Sequence, residues 1–78
     1  MAQVIVRHAR DDFYALLTAQ GMEDAGAKVF SMTVLPNGWF DIWAKYDSAM
    51  TNPDKIDESI DNAIEPPEKE ATPAPPPK

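Results

Sequence analysis

The chain contains no cysteine, one histidine and three isolated glycines among its 78 residues. Without cysteine there are no disulfides and no thiolate metal sites. Without a glycine-rich loop there is no cradle for a nucleotide phosphate. His8 has only Asp11 and Asp12 near it in sequence. A lone imidazole beside two acids at a helix start reads as cap and first-turn charge rather than as a metal set. No Ser/His/Asp elbow is present, and Tyr14 and Tyr46 occupy ordinary amphipathic positions. The expectation is a non-enzyme with no cofactor and no metal, because a catalytic pocket needs more walls than so short a chain can build.

Positive charge is scarce as well. Seven lysines and arginines stand against thirteen aspartates and glutamates, for a net charge of −6, and the basic residues form no stripe. Phosphate contacts need Lys and Arg, so direct binding of nucleic acid is not expected. Long apolar runs are also missing. Met1 to Val6 has strand length, and nothing approaches a signal-peptide core or a membrane span. The expected location is cytoplasmic, with no membrane contact.

What the chain does carry is a hairpin signal from Lys28 to Tyr46, with Leu35-Pro36-Asn37-Gly38-Trp39 at its tip. Pro36 presets the first corner of a type I turn, Asn37 suits the second, and Gly38 can take the left-handed conformation that follows. A two-residue Asn37-Gly38 turn competes with this three-residue loop. Side chains choose between them. The longer loop sets Val34 against Phe40, Met32 against Ile42 and Phe30 against Ala44, all apolar. The shorter one sets Val34 against Asp41 and Phe30 against Lys45, so the three-residue loop is expected. The reverse face then pairs Trp39 with Leu35 and Trp43 with Ser31, alongside Val29, Thr33, Asp41 and Lys45. Two indoles and a leucine are costly to leave wet, so this face is expected to be covered by a helix of the chain, a second copy or a partner.

Around the hairpin the elements follow in a β-α-β-β order over residues 1–46. Val4-Ile5-Val6 within Gln3 to Arg7 suggests a central strand covered on both faces. Asp11 and Asp12 open a helix in which Phe13, Leu16, Leu17 and Gln20 recur at helical spacing, with Gly21 as its stop and residues 22–27 as a polar link. This helix is expected to pack on the Phe30, Met32, Val34, Phe40 and Ile42 face. The fold class is α+β, in two layers. After a linker at 47–52, Asn52 caps and Pro53 starts an acidic amphipathic helix over 53–65. Ile56, Ile60, Ala63 and Ile64 form its apolar side, while Asp54, Asp57, Glu58, Asp61 and Glu65 crowd the other. Residues 66–78 hold six prolines in thirteen and almost nothing apolar, which predicts a disordered or polyproline tail, with Pro73 and Pro76 at PxxP spacing.

Charge is concentrated late: residues 1–46 carry net −1 and residues 47–78 net −5. The expected function is therefore a protein-interaction module, an accessory or inhibitor protein. Its expected contact residues are Leu35, Trp39 and Trp43 together with Ile56, Ile60 and Ile64. A structural subunit of a symmetric homo-oligomer is the alternative. A second alternative reads the carboxylates of the last helix as a mimic of a phosphate backbone, filling the basic groove of a nucleic-acid-binding protein. In this the chain broadly resembles small acidic phage proteins that block host or defence enzymes. Over residues 3–46 the order of strand, helix, glycine, polar link and hairpin also resembles several small bacterial and phage proteins. That likeness implies no functional residue.

Overall fold

A computed structural model describes residues 1–65; the expected tail at 66–78 lies outside the described residues. The elements are β1 (Ala2–Ala9), α1 (Asp12–Asp24), β2 (Lys28–Val34), β3 (Phe40–Asp47) and α2 (Pro53–Ile64). The class is α+β: a three-stranded antiparallel sheet in the order β1-β3-β2, with two helices. The central strand is thus β3, and β1 is an edge, contrary to the reading of Val4-Ile5-Val6 as a central run. Only Ile5 of those three is buried, because only it faces the helices, and Val4 is exposed on the other side.

The hairpin closes as the turn chemistry requires. Gly38 N–H donates to Leu35 O at 2.9 Å and Leu35 N–H to Trp39 O at 2.7 Å, with Gly38 at φ +93°. The loop is Pro36-Asn37-Gly38, and Val34 stands opposite Phe40 and Met32 opposite Ile42. Beyond Ser31 the register breaks. A β-bulge at Val29–Ser31 sets Val29 opposite Ala44 and leaves Phe30 without a partner. The extra residue exchanges the two side chains relative to expectation. Val29 packs against the core, and Phe30 turns outward, with Lys45 Nζ 5.7 Å from its ring.

Both helices lie on one face of the sheet. Ile5 and Ala9 of β1 and Ile42 and Ala44 of β3 share that face, and they form one core with Ala15 and Met22 of α1 and Ile56 and Ile60 of α2. The contact between the helices is very close. A Cβ on Gly21 would lie 2.5 Å from Ile60 Cα and 2.8 Å from Ile60 N. Gly21 therefore sits inside α1 at the crossing with α2 and does not stop the helix. The stop comes five residues later, at Gly26, whose φ is +97°. Gly26 N–H donates to Glu23 O and Ala27 N–H to Met22 O, both at 3.0 Å, which is the Schellman pattern. Met22, expected in a polar link, is fully buried.

This close approach decides which side of α1 is inside. Ala15, Thr18, Gly21 and Met22 are buried, while Phe13 and Leu16 are 61% and 65% exposed. Of the expected stripe, Phe13, Leu16 and Gln20 therefore point away from the core, while Leu17 is half-buried. Small side chains on the inner side let α1 fit between the sheet and α2 at short range.

Candidate functional site

With both helices on one face, the opposite face of the sheet is crossed by no element among the described residues. Three rows run across it. Val6, Trp43 and Ser31 form the middle row, flanked by His8, Asp41 and Thr33 on one side and by Val4, Lys45 and Lys28 on the other. Trp43 is half-buried because it lies among its own row neighbours, while Val4 and Phe30 are exposed. His8 Nδ1 and Asp41 Oδ1 are 2.5 Å apart and fix the polar end of the face. The surface is an apolar centre with a polar rim, the usual anatomy of a protein contact.

The two indoles part company. Trp39 is paired with Leu35 at the hairpin mouth, but it precedes β3 and lines a cleft of about 330 Å³ with Ala9, Tyr14, Thr18 and Ile64 from the helical side. Arg10 stacks over the Tyr14 ring at 4.2 Å beside the same cleft. Trp43 is thus the aromatic centre of the open face, Leu35 lies at its hairpin end, and Trp39 closes the end of the molecule.

The isoleucines of α2 are placed elsewhere. Ile56 and Ile60 are buried against the chain's own core and Ile64 is partly buried beside it, so they are not available as a partner surface. Nor do they lie over Trp43, since α2 packs on α1, although Ile64 shares the cleft with Trp39. The reason is Gly21, which gives α2 a flat seat on the helical side.

The acidic side of α2 is also modified. Arg7 points from β1 toward α2 and holds Asp57 along one edge of its guanidinium, Nε to Oδ1 at 2.6 Å and Nη2 to Oδ2 at 3.0 Å. These hydrogen bonds raise the Arg7 pKa above its ordinary value, against the opposing effect of burial. Both side chains remain partly exposed, so the pair contributes at most about 1 kcal/mol. Asp54, Glu58, Asp61 and Glu65 are left exposed. Their spacing lines them up along roughly 16 Å of the helix. This stripe and the open sheet face belong to opposite layers, so one flat partner surface cannot cover both.

Among the described residues no cluster of three His, Cys, Asp or Glu side chains could hold a metal, and no helix is long and apolar enough to cross a membrane. In comparisons with known proteins the chain matches no family model, no curated protein and no solved structure.

Proposed function

We propose that the chain is a non-enzymatic protein-interaction module, an accessory or inhibitor protein whose working surface is the open face of its sheet. The observation that carries this reading is the one-sided placement of the helices. It leaves Trp43 between Val6 and Ser31 with no element above it among the described residues. A large indole in the middle of a three-stranded platform is the kind of anchor that dominates contact energies, and rims such as Thr33, His8–Asp41 and Lys45 exclude water around it. The partner is a protein that offers an apolar pocket for an indole. The acidic stripe on the other layer adds long-range charge, which favours encounter with a basic partner.

The test is affinity capture from a lysate of the source cells, with wild type and Trp43→Ser immobilised in parallel. Wild type should retain a stoichiometric protein that Trp43→Ser holds at least about 30-fold more weakly, the loss that goes with removal of a hot-spot aromatic. Circular dichroism should show the variant folded, since Trp43 is outside the core cluster. A partner retained equally by both proteins would contradict the assignment.

A further inference from the structure

The exposed apolar side chains of α1 and β2 lie on a second surface, distinct from the open face. Glu23 of α1 accepts a hydrogen bond from Val29 N–H of β2 at 2.8 Å, so the flank of α1 that carries Glu23 lies over β2. Leu16 is two turns earlier on that flank, and Phe13 is one turn before it. On β2, Met32 and Val34 face the helical side but are 40% and 62% exposed. Met32 and Val34 border the edge of β2 that no described strand pairs, with Leu16 on the facing flank of α1 and Phe13 further round it, and together the four offer roughly 400 Å² of apolar surface, about half of what each partner contributes to a stable complex.

Among the described residues no strand pairs with the backbone of that edge. The Leu35–Trp39 pair directs the Leu35 N–H toward β3, and Thr33 and Ser31 share its orientation along the strand. Met32 and Val34 therefore point their N–H and C=O groups outward. The regular part of the edge is short and symmetric about one residue. The bulge at Phe30 ends it three residues before Thr33, and Pro36 ends it three residues after. The strand edge itself carries little charge. Residues 29–40 are the longest uncharged stretch of the chain, and the next longest, 13–22, supplies Phe13 and Leu16. In a chain of net charge −6, two copies that meet strand to strand here set no charged residue of 29–40 against another.

We infer that β2 is a self-association edge: two copies pair their β2 strands antiparallel about a twofold axis through Thr33. In this register Met32 of each copy exchanges both backbone hydrogen bonds with Val34 of the other, and Thr33 faces itself across the axis. The helical side buries Met32 and Val34 of both copies between the two Leu16 and Phe13 flanks. The other side becomes one six-stranded sheet with both open faces continuous, so the inference does not depend on what those faces bind. A foreign strand could satisfy the same backbone groups, but no general strand would share the centring on Thr33.

Cysteine cross-linking reads the register directly, because the chain has no cysteine of its own. Opposed residues of a non-hydrogen-bonded antiparallel pair have Cα atoms about 4.5 Å apart, within disulfide range. Thr33→Cys, at an exposed position, should become a covalent dimer in a mild glutathione buffer, while Val4→Cys on β1 stays monomeric. Light scattering of wild type from about 1 µM to 1 mM should show monomer passing to dimer. Val34→Pro, which removes an outward N–H and no bond to β3, should abolish that passage. A wild type that remains monomeric at the highest concentration, or a Thr33→Cys protein that cross-links no faster than Val4→Cys, overturns the proposal.

Discussion

Gly21→Ala should lower the stability of this protein by about 2 kcal/mol or more, although alanine is the better helix former by about 1 kcal/mol. The added methyl would meet backbone atoms, Ile60 Cα at 2.5 Å, Ile60 N at 2.8 Å and Ser59 O at 2.9 Å. Backbone cannot rotate out of the way as a side chain can. The helices must separate, and every contact across their interface loosens together. In a domain of this size each kcal/mol moves the melting temperature by roughly 4–8 °C, so a drop of at least about 8 °C is expected. Thermal unfolding followed by circular dichroism gives the answer, and its sign discriminates. If Gly21 were an ordinary exposed helical position, the same substitution would raise the melting temperature.

Ile56→Ala should have an effect of similar or greater size. Ile56 is fully buried in the core shared by α1, α2 and the sheet. Removing three carbons from such a site costs about 2–5 kcal/mol through lost transfer energy and the cavity left behind. The whole stability of a domain this small is of the same order. Urea unfolding should therefore show Ile56→Ala largely unfolded, or with its midpoint shifted to very low denaturant. A stripe that served only a foreign partner would behave oppositely, with the isolated protein almost unaffected.

These two substitutions also mark what the sequence could and could not reveal. The hairpin was legible because Pro36, Asn37 and Gly38 each have a narrow conformational preference, and because the competing register places Asp41 and Lys45 in the apolar face. Phe30 escaped the same logic. Alternation assigns it to the core, and nothing local announces the bulge that exchanges it with Val29. The isoleucine stripe of α2 is plain in the sequence, but its seat is not, since that seat depends on Gly21 meeting Ile60 across 39 positions of chain.

Helix α1 misled for a related reason. The largest apolar residues normally mark the buried side, yet here Phe13 and Leu16 are outside and Ala15, Thr18 and Gly21 are inside. A second signal was present: small residues at 15, 18, 19 and 21 crowd one side of the helix, which is what a close helix crossing requires. Weighing side-chain size along with hydrophobicity would have favoured that side. The open face was half legible. Its membership around Trp43 followed from alternation and the turn, and so did the placing of α1 on the Phe40 and Ile42 side, but that α2 would join α1 there instead of covering Trp43 depended on packing.

Helices on one face only leave Trp43 open to solvent, and solvent paramagnetic relaxation tests this across the whole sheet at once. A soluble gadolinium chelate is titrated into labelled protein while the methyl and indole signals are followed. Both faces are thereby compared in one sample. The Val4 and Val6 methyls and the Trp43 indole should broaden strongly, while the Ile42 and Ile56 methyls stay sharp. Protection of Val6 and Trp43 equal to that of Ile42 would mean that part of the chain itself covers this face, and the sheet could not then be the working surface.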